Sequence, residues 1–123
     1  MEQEQYQKIY DDFMKNYTLG AVSGEQVGII IAQLAGIFSN YNIGSIKAER
    51  AFSAMAKEIA LQTDEQTGKA ISSAKADTLS AATNEAYIFK LAKAHVTNLE
   101  VLIGALKFLQ KGILTEYNQG NLS

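Results

Sequence analysis

Residues 27–59 read VGIIIAQLAGIFSNYNIGSIKAERAFSAMAKEI, and their apolar phase decides the fold. Val27, Ile31, Leu34, Phe38, Tyr41, Ser45, Ala48, Phe52, Met55 and Ile59 follow one another at alternating four- and three-residue steps, which is the seam of a long helix packed on a neighbour. A helix carrying that seam runs roughly 50 Å. Short helices of one small chain do not cover such a length, so the pattern predicts long paired helices and partner chains of the same kind.

Working outward, the expected fold is all-α: a short N-terminal helix followed by a long antiparallel helical hairpin, in one domain spanning residues 1–123, as part of an oligomeric helical assembly. Apolar residues make up 47% of the chain and proline is absent, which favours helix and supplies a core. Tyr6, Ile9, Tyr10, Phe13, Met14 and Tyr17 share one helical stripe and predict a helix over 3–17. Gly20 and Gly24 break it, and Ser23 with Gln26 forms a capping-box pattern that opens the next helix. Residues 39–45, SNYNIGS, have the chemistry of a loop, yet the seam keeps its phase across them. A continuous helix over 24–62 is therefore expected, with Gly44 as the point where it would bend.

The polar run at residues 63–69 predicts a turn. Beyond it, Ile71, Ala74, Thr78, Ala81, Glu85, Ile88, Ala92, His95, Leu99, Leu102, Leu106, Leu109 and Ile113 form a second four-three ladder, expected as one helix over 70–117 with a frayed tail at 118–123. A flanking stripe of Ala82, Phe89, Val96 and Ile103 widens its apolar face beyond what one neighbour covers. The residues expected at the oligomer interface are Phe38, Phe52, Met55, Phe89, Val96, Leu99, Ile103 and Leu106. Gly28, Ala32 and Gly36 form a small-residue row that predicts close helix packing, with the first helix as the neighbour.

No catalytic constellation accompanies these patterns. Cysteine is absent, and the single histidine, His95, lies on the second ladder as a buried or interfacial polar residue, so no metal site is expected. Asp11-Asp12 and Asp64-Glu65 read as surface charge; the first pair, on a helix, diverges by roughly 100° and cannot converge as a dyad. The glycines fit neither a dinucleotide fingerprint nor a phosphate loop, and no GxSxG occurs. The chain is expected not to be an enzyme and to need no cofactor.

The apolar run from Val27 to Phe38 contains Gln33 and is shorter than the roughly 20 residues of a spanning helix, so it reads as a core segment and no membrane partner is expected. The acidic, polar start MEQEQYQK differs from a secretory leader, and a cysteine-free chain suits a reducing compartment. A cytoplasmic location is expected. Net charge is −2, with an acidic excess in residues 1–25 and a lysine excess in residues 86–115. Lys47, Arg50 and Lys57 share one side of the long helix, and Lys69 and Lys75 follow the turn. These five residues are the candidate nucleic-acid contacts.

Ser45-Ile46-Lys47 continuing through Ala48-Glu49-Arg50, then a polar turn, then Leu99, Leu102-Ile103, Ala105-Leu106-Lys107 and Lys111-Gly112-Ile113, give the chain from Gln26 to Ile113 a layout that resembles small helical accessory proteins of tailed phages. The resemblance is nearest to the phage recombination-mediator proteins. It implies a ring or barrel of helical hairpins that holds single-stranded DNA and a recombinase together in the bacterial host cell. The family's late-helix DNA contact falls on Lys57, whereas Ile59 stands where the family is basic. Two other functions fit the same helices: a phage virion or assembly protein that binds no nucleic acid, and a small inhibitor of a host defence system.

Overall fold

Four helices follow one another in the computed structural model: α1, Gln5–Thr18; α2, Gly24–Ala60; α3, Ser73–Ala81; and α4, Asn84–Leu122. The structure describes residues 4–18, 20 and 22–122, with side chains up to Glu116. No strand forms among them. Thr63 and Ala70 make one isolated antiparallel bridge.

All ten seam positions of α2 are turned from solvent. Val27 and Leu34 are fully buried, and the other eight are half-buried. The helix runs unbroken through residues 39–45, because no proline removes a backbone donor there and extending a formed helix fixes one residue per added hydrogen bond. Its start has the expected capping box: the Ser23 backbone N–H donates to Gln26 Oε1 at 2.8 Å and the Gln26 N–H donates to Ser23 Oγ at 3.3 Å. At the other end Leu61 and Gln62 leave the helix, their N–H groups donating to Glu58 and Ile59 carbonyls in tightened final turns.

The contacts divide into two units, Met1–Asn40 with Thr97–Ser123, and Tyr41–Val96. In the first, Leu34, Val27, Leu99 and Leu106 are completely enclosed, and Tyr6 and Phe13 of α1, seven residues apart, join them. Gln110 Nε2 donates to the Gly24 carbonyl at 3.0 Å. A Cβ on Gly28 would lie 3.1 Å from that amide, and one on Gly24 would lie 3.5 Å from Leu114. The small-residue row therefore packs differently from the expectation: Gly28 faces α4 rather than α1, Ala32 is exposed, and Gly36 faces open space.

In the second unit, Tyr41 meets His95 at 5.0 Å and Phe52 meets Phe89 at 5.8 Å between ring centres. Ala76, Ser80 and Ala86 are buried, and Ser80 Oγ donates to the Ala76 carbonyl at 2.8 Å, which satisfies its hydroxyl. The turn between α2 and α3 is ordered by its own backbone. Asp64 N–H donates to Lys69 O at 2.7 Å and Gly68 N–H to Asp64 O at 2.8 Å, with Gly68 at φ +67°.

The single helix expected over 70–117 is instead α3 and α4. Ser72 caps α3 by accepting from the Lys75 N–H at 3.2 Å. Thr83 then ends one helix and starts the next: its Oγ1 donates to Ser80 O at 2.7 Å and accepts from the Ala86 N–H at 3.2 Å. A short hydroxyl side chain that bonds nearby backbone on both sides gives the chain an alternative to continuing the helix. The break shifts the phase. Ala74, Thr78, Ala81 and Ile88 of the ladder are exposed, whereas from Ala92 to Ile113 its positions are buried or half-buried. The helix expected to end at 117, with a frayed tail at 118–123, continues to Leu122; Ser123 lies outside the described residues.

Truncating Leu34→Ala is expected to lower unfolding free energy by about 2–5 kcal/mol in chemical denaturation, because the side chain is fully enclosed. Gly68→Ala is expected to cost about 1–2 kcal/mol in the same assay, since a Cβ is strained at positive φ even though nothing crowds it.

Candidate functional site

Two surfaces carry the chain's chemistry. The first lies around the turn that joins α2 to α3. Lys47, Arg50 and Lys57 of α2 are all exposed, and the spacing of three and seven residues keeps them on one side of the helix. Lys57 lies in the last turn of α2, where the partial negative charge of the helix end favours a cation. Lys69 is exposed on the turn, its N–H donating to Thr67 Oγ1 at 3.3 Å. Lys75 is committed within the chain, its ammonium 3.4 Å from Asp64 Oδ2.

Asp64 organises this turn. Its Oδ1 accepts from the Gln66 N–H at 2.9 Å and its Oδ2 faces Lys75. The Gln66 N–H, with the Lys75 charge adding to it, holds the carboxyl below its ordinary value of 3.8. Asp64 and Glu65, alike as surface charge in the sequence, differ in the structure: Asp64 bonds the turn and Lys75. The signal for the difference was the distance of two residues from Asp64 to Gln66, the reach at which an aspartate bonds backbone in a turn.

The second surface belongs to unit 1. A cleft of about 330 Å³ between α2 and α4 is lined by Ala35, Phe38, Glu100, Ile103, Gly104 and Lys107. Phe38 and Ile103, two of the expected interface residues, form its half-buried apolar part. Leu99 and Leu106 fall elsewhere: both are fully enclosed within their own chain and present nothing to a partner. In unit 2, Phe52 and Phe89 stack on each other, with Lys93 Nζ 6.0 Å from the Phe89 ring centre, and Met55 and Val96 are half-buried.

Residues outside the expected set present far more apolar surface. Phe108 is 82% exposed, Val101 64%, Tyr87 63% and Ile29 61%. Tyr87 and Phe108 have the helical spacing of core aromatics, yet both lie between the seam positions and stay in solvent. The cleft had a sequence signal, a glycine flanked by opposite charges seven residues apart.

No group of three metal-binding side chains converges among the described residues. His95 is half-buried against Tyr41. Asp11 accepts a hydrogen bond from Gln7 Nε2 at 3.0 Å, one helical turn away. Helix α2 is long and apolar enough to cross a membrane by length and composition, with mean hydropathy 1.3 over an 18-residue window, 11% of it buried. Compared with protein-family models, curated proteins and solved structures, the chain gives no match.

Because the folded carboxyl is the stronger acid, Asp64 stabilises the fold above its ordinary value and loses that effect as pH falls through its lowered one. Asp64→Ala is thus expected to melt at a lower temperature than the parent above pH 3.8, with the two melts converging in stronger acid. Thermal denaturation followed by circular dichroism across an acid series measures it.

Proposed function

We propose that this chain is a non-enzymatic helical scaffold that works as a homo-oligomer. One observation carries the reading: among the described residues eight hydrophobic side chains are buried, while twelve large ones are exposed.

A protein partner fits this surface better than a bilayer does. In unit 1 the helices beside α2 carry Lys8, Asp11, Asp12 and Lys15 on α1 and Glu100, Lys107 and Lys111 on α4. Taking α2 through hydrocarbon with its neighbours attached would desolvate those charges, at a cost of several kcal/mol.

A second reading, in which the scaffold holds single-stranded DNA beside a recombinase, is favoured by the exposed Lys47, Arg50, Lys57 and Lys69. Each subunit then contributes weak phosphate contacts that an oligomer multiplies. Lys75 is the least available of the five candidates, since Asp64 already neutralises it.

Sedimentation equilibrium is expected to give a mass that is a multiple of 13.4 kDa at micromolar concentration. A monomer throughout would overturn the scaffold. Titration of single-stranded DNA at two salt concentrations tests the second reading. Binding that weakens with salt, and weakens further in Lys47→Ala/Arg50→Ala, supports it, and no binding at low salt removes it.

A further inference from the structure

We propose that the α2–α4 cleft of unit 1 is a two-fold self-docking surface, closed by α4 of a second copy lying antiparallel against α4 of the first. The inference rests on the oligomeric reading and assigns it a contact.

Glu100 and Lys107 stand on one side of α4, roughly 10 Å apart along the axis, with Ile103 and Gly104 midway between them. Both charges are exposed, and neither has an ion-pair partner among the described residues. The helix offers Glu100 no cation at three or four residues' distance. Lys107 has only Lys111 at that spacing, a like charge that repels it.

A two-fold axis through the Ile103–Gly104 midpoint answers each of these facts together. It brings Glu100 of each copy to Lys107 of the other, so one patch satisfies itself twice. A parallel arrangement would oppose Glu100 to Glu100. Gly104 explains how the backbones come close: a Cβ there meets nothing within 4 Å inside the chain, so the chain's own packing does not require the glycine. Ile103 of the second copy then enters the space beside Gly104 and Ala35, over Phe38. Glu100 at the rim disfavours a phosphate or an anionic lipid as occupant.

Charge exchange measured by sedimentation equilibrium tests the contact. Glu100→Lys and Lys107→Glu are each expected to raise the dissociation constant by roughly tenfold or more. The double variant E100K/K107E is expected to return to near the parent value, and an equimolar mixture of the two single variants to associate where each alone does not. Gly104→Leu is expected to weaken association without lowering the melting temperature measured at dilutions where parent and variant are both monomeric. If the parent associates but the single variants and Gly104→Leu match it, the cleft is overturned while the scaffold stands. Association lost in the single variants and not recovered in the double also overturns the two-fold pairing. A parent that is monomeric at every concentration removes both.

Discussion

The complete burial of Leu34 and Val27 on α2 and of Leu99 and Leu106 on α4 is the constraint on which the rest of unit 1 depends. Helices of 37 and 39 residues are stabilised less by intrinsic propensity than by burying one apolar stripe. Here that stripe is one seam wide. A seam closes about a third of a helix's circumference, and α1 adds the buried Tyr6 and Phe13 and the half-buried Ile9, Tyr10 and Met14 to it. The remaining apolar side chains stay in water for lack of further elements in the chain. The scaffold reading follows from this imbalance, since the hydrophobic effect acts on exposed area wherever a partner is available.

Polar chemistry in the molecule serves geometry. Ser23, Ser72 and Thr83 bond to the first backbone N–H groups of their helices, groups with no partner inside a helix. Asp64 folds the connecting turn by taking the Gln66 N–H and pairing with Lys75. Ser80 closes its hydroxyl onto its own helix. These groups hold positions; in the scaffold we propose, apolar faces would serve association, while the exposed cations, Glu100 and Lys107 would set partner and orientation.

Much of this was legible from residue spacing. All ten seam positions over residues 27–59 are turned from solvent, with Gly28, Ile30, Ile37 and Ala56 half-buried beside them, and the seam correctly outweighed the turn-like composition of residues 39–45, because a loop there would have broken the phase. The capping box was readable as Ser23 with Gln26. The second ladder held without exception from Ala92 onward. Ala74, Thr78 and Ala81 failed because they lie on α3, before the break at Thr83, and a hydroxyl that bonds backbone on both sides leaves a weak trace among alanines, serines and threonines; Ile88, already in α4, is exposed for lack of a neighbour. Gly28 was legible as a close contact, but its neighbour was not.

Sequence alone determined that the chain is helical, where α2 begins, and which stripe of it faces inward, since these follow from local hydrogen bonding and from a period that any packed helix obeys. Tertiary structure alone decided which apolar residues are consumed inside the chain and which stay outside. Leu99 and Leu106 look, in sequence, like the half-buried Ile103 and the exposed Phe108, and only the neighbours that surround each of them separate a core from a surface left for another molecule.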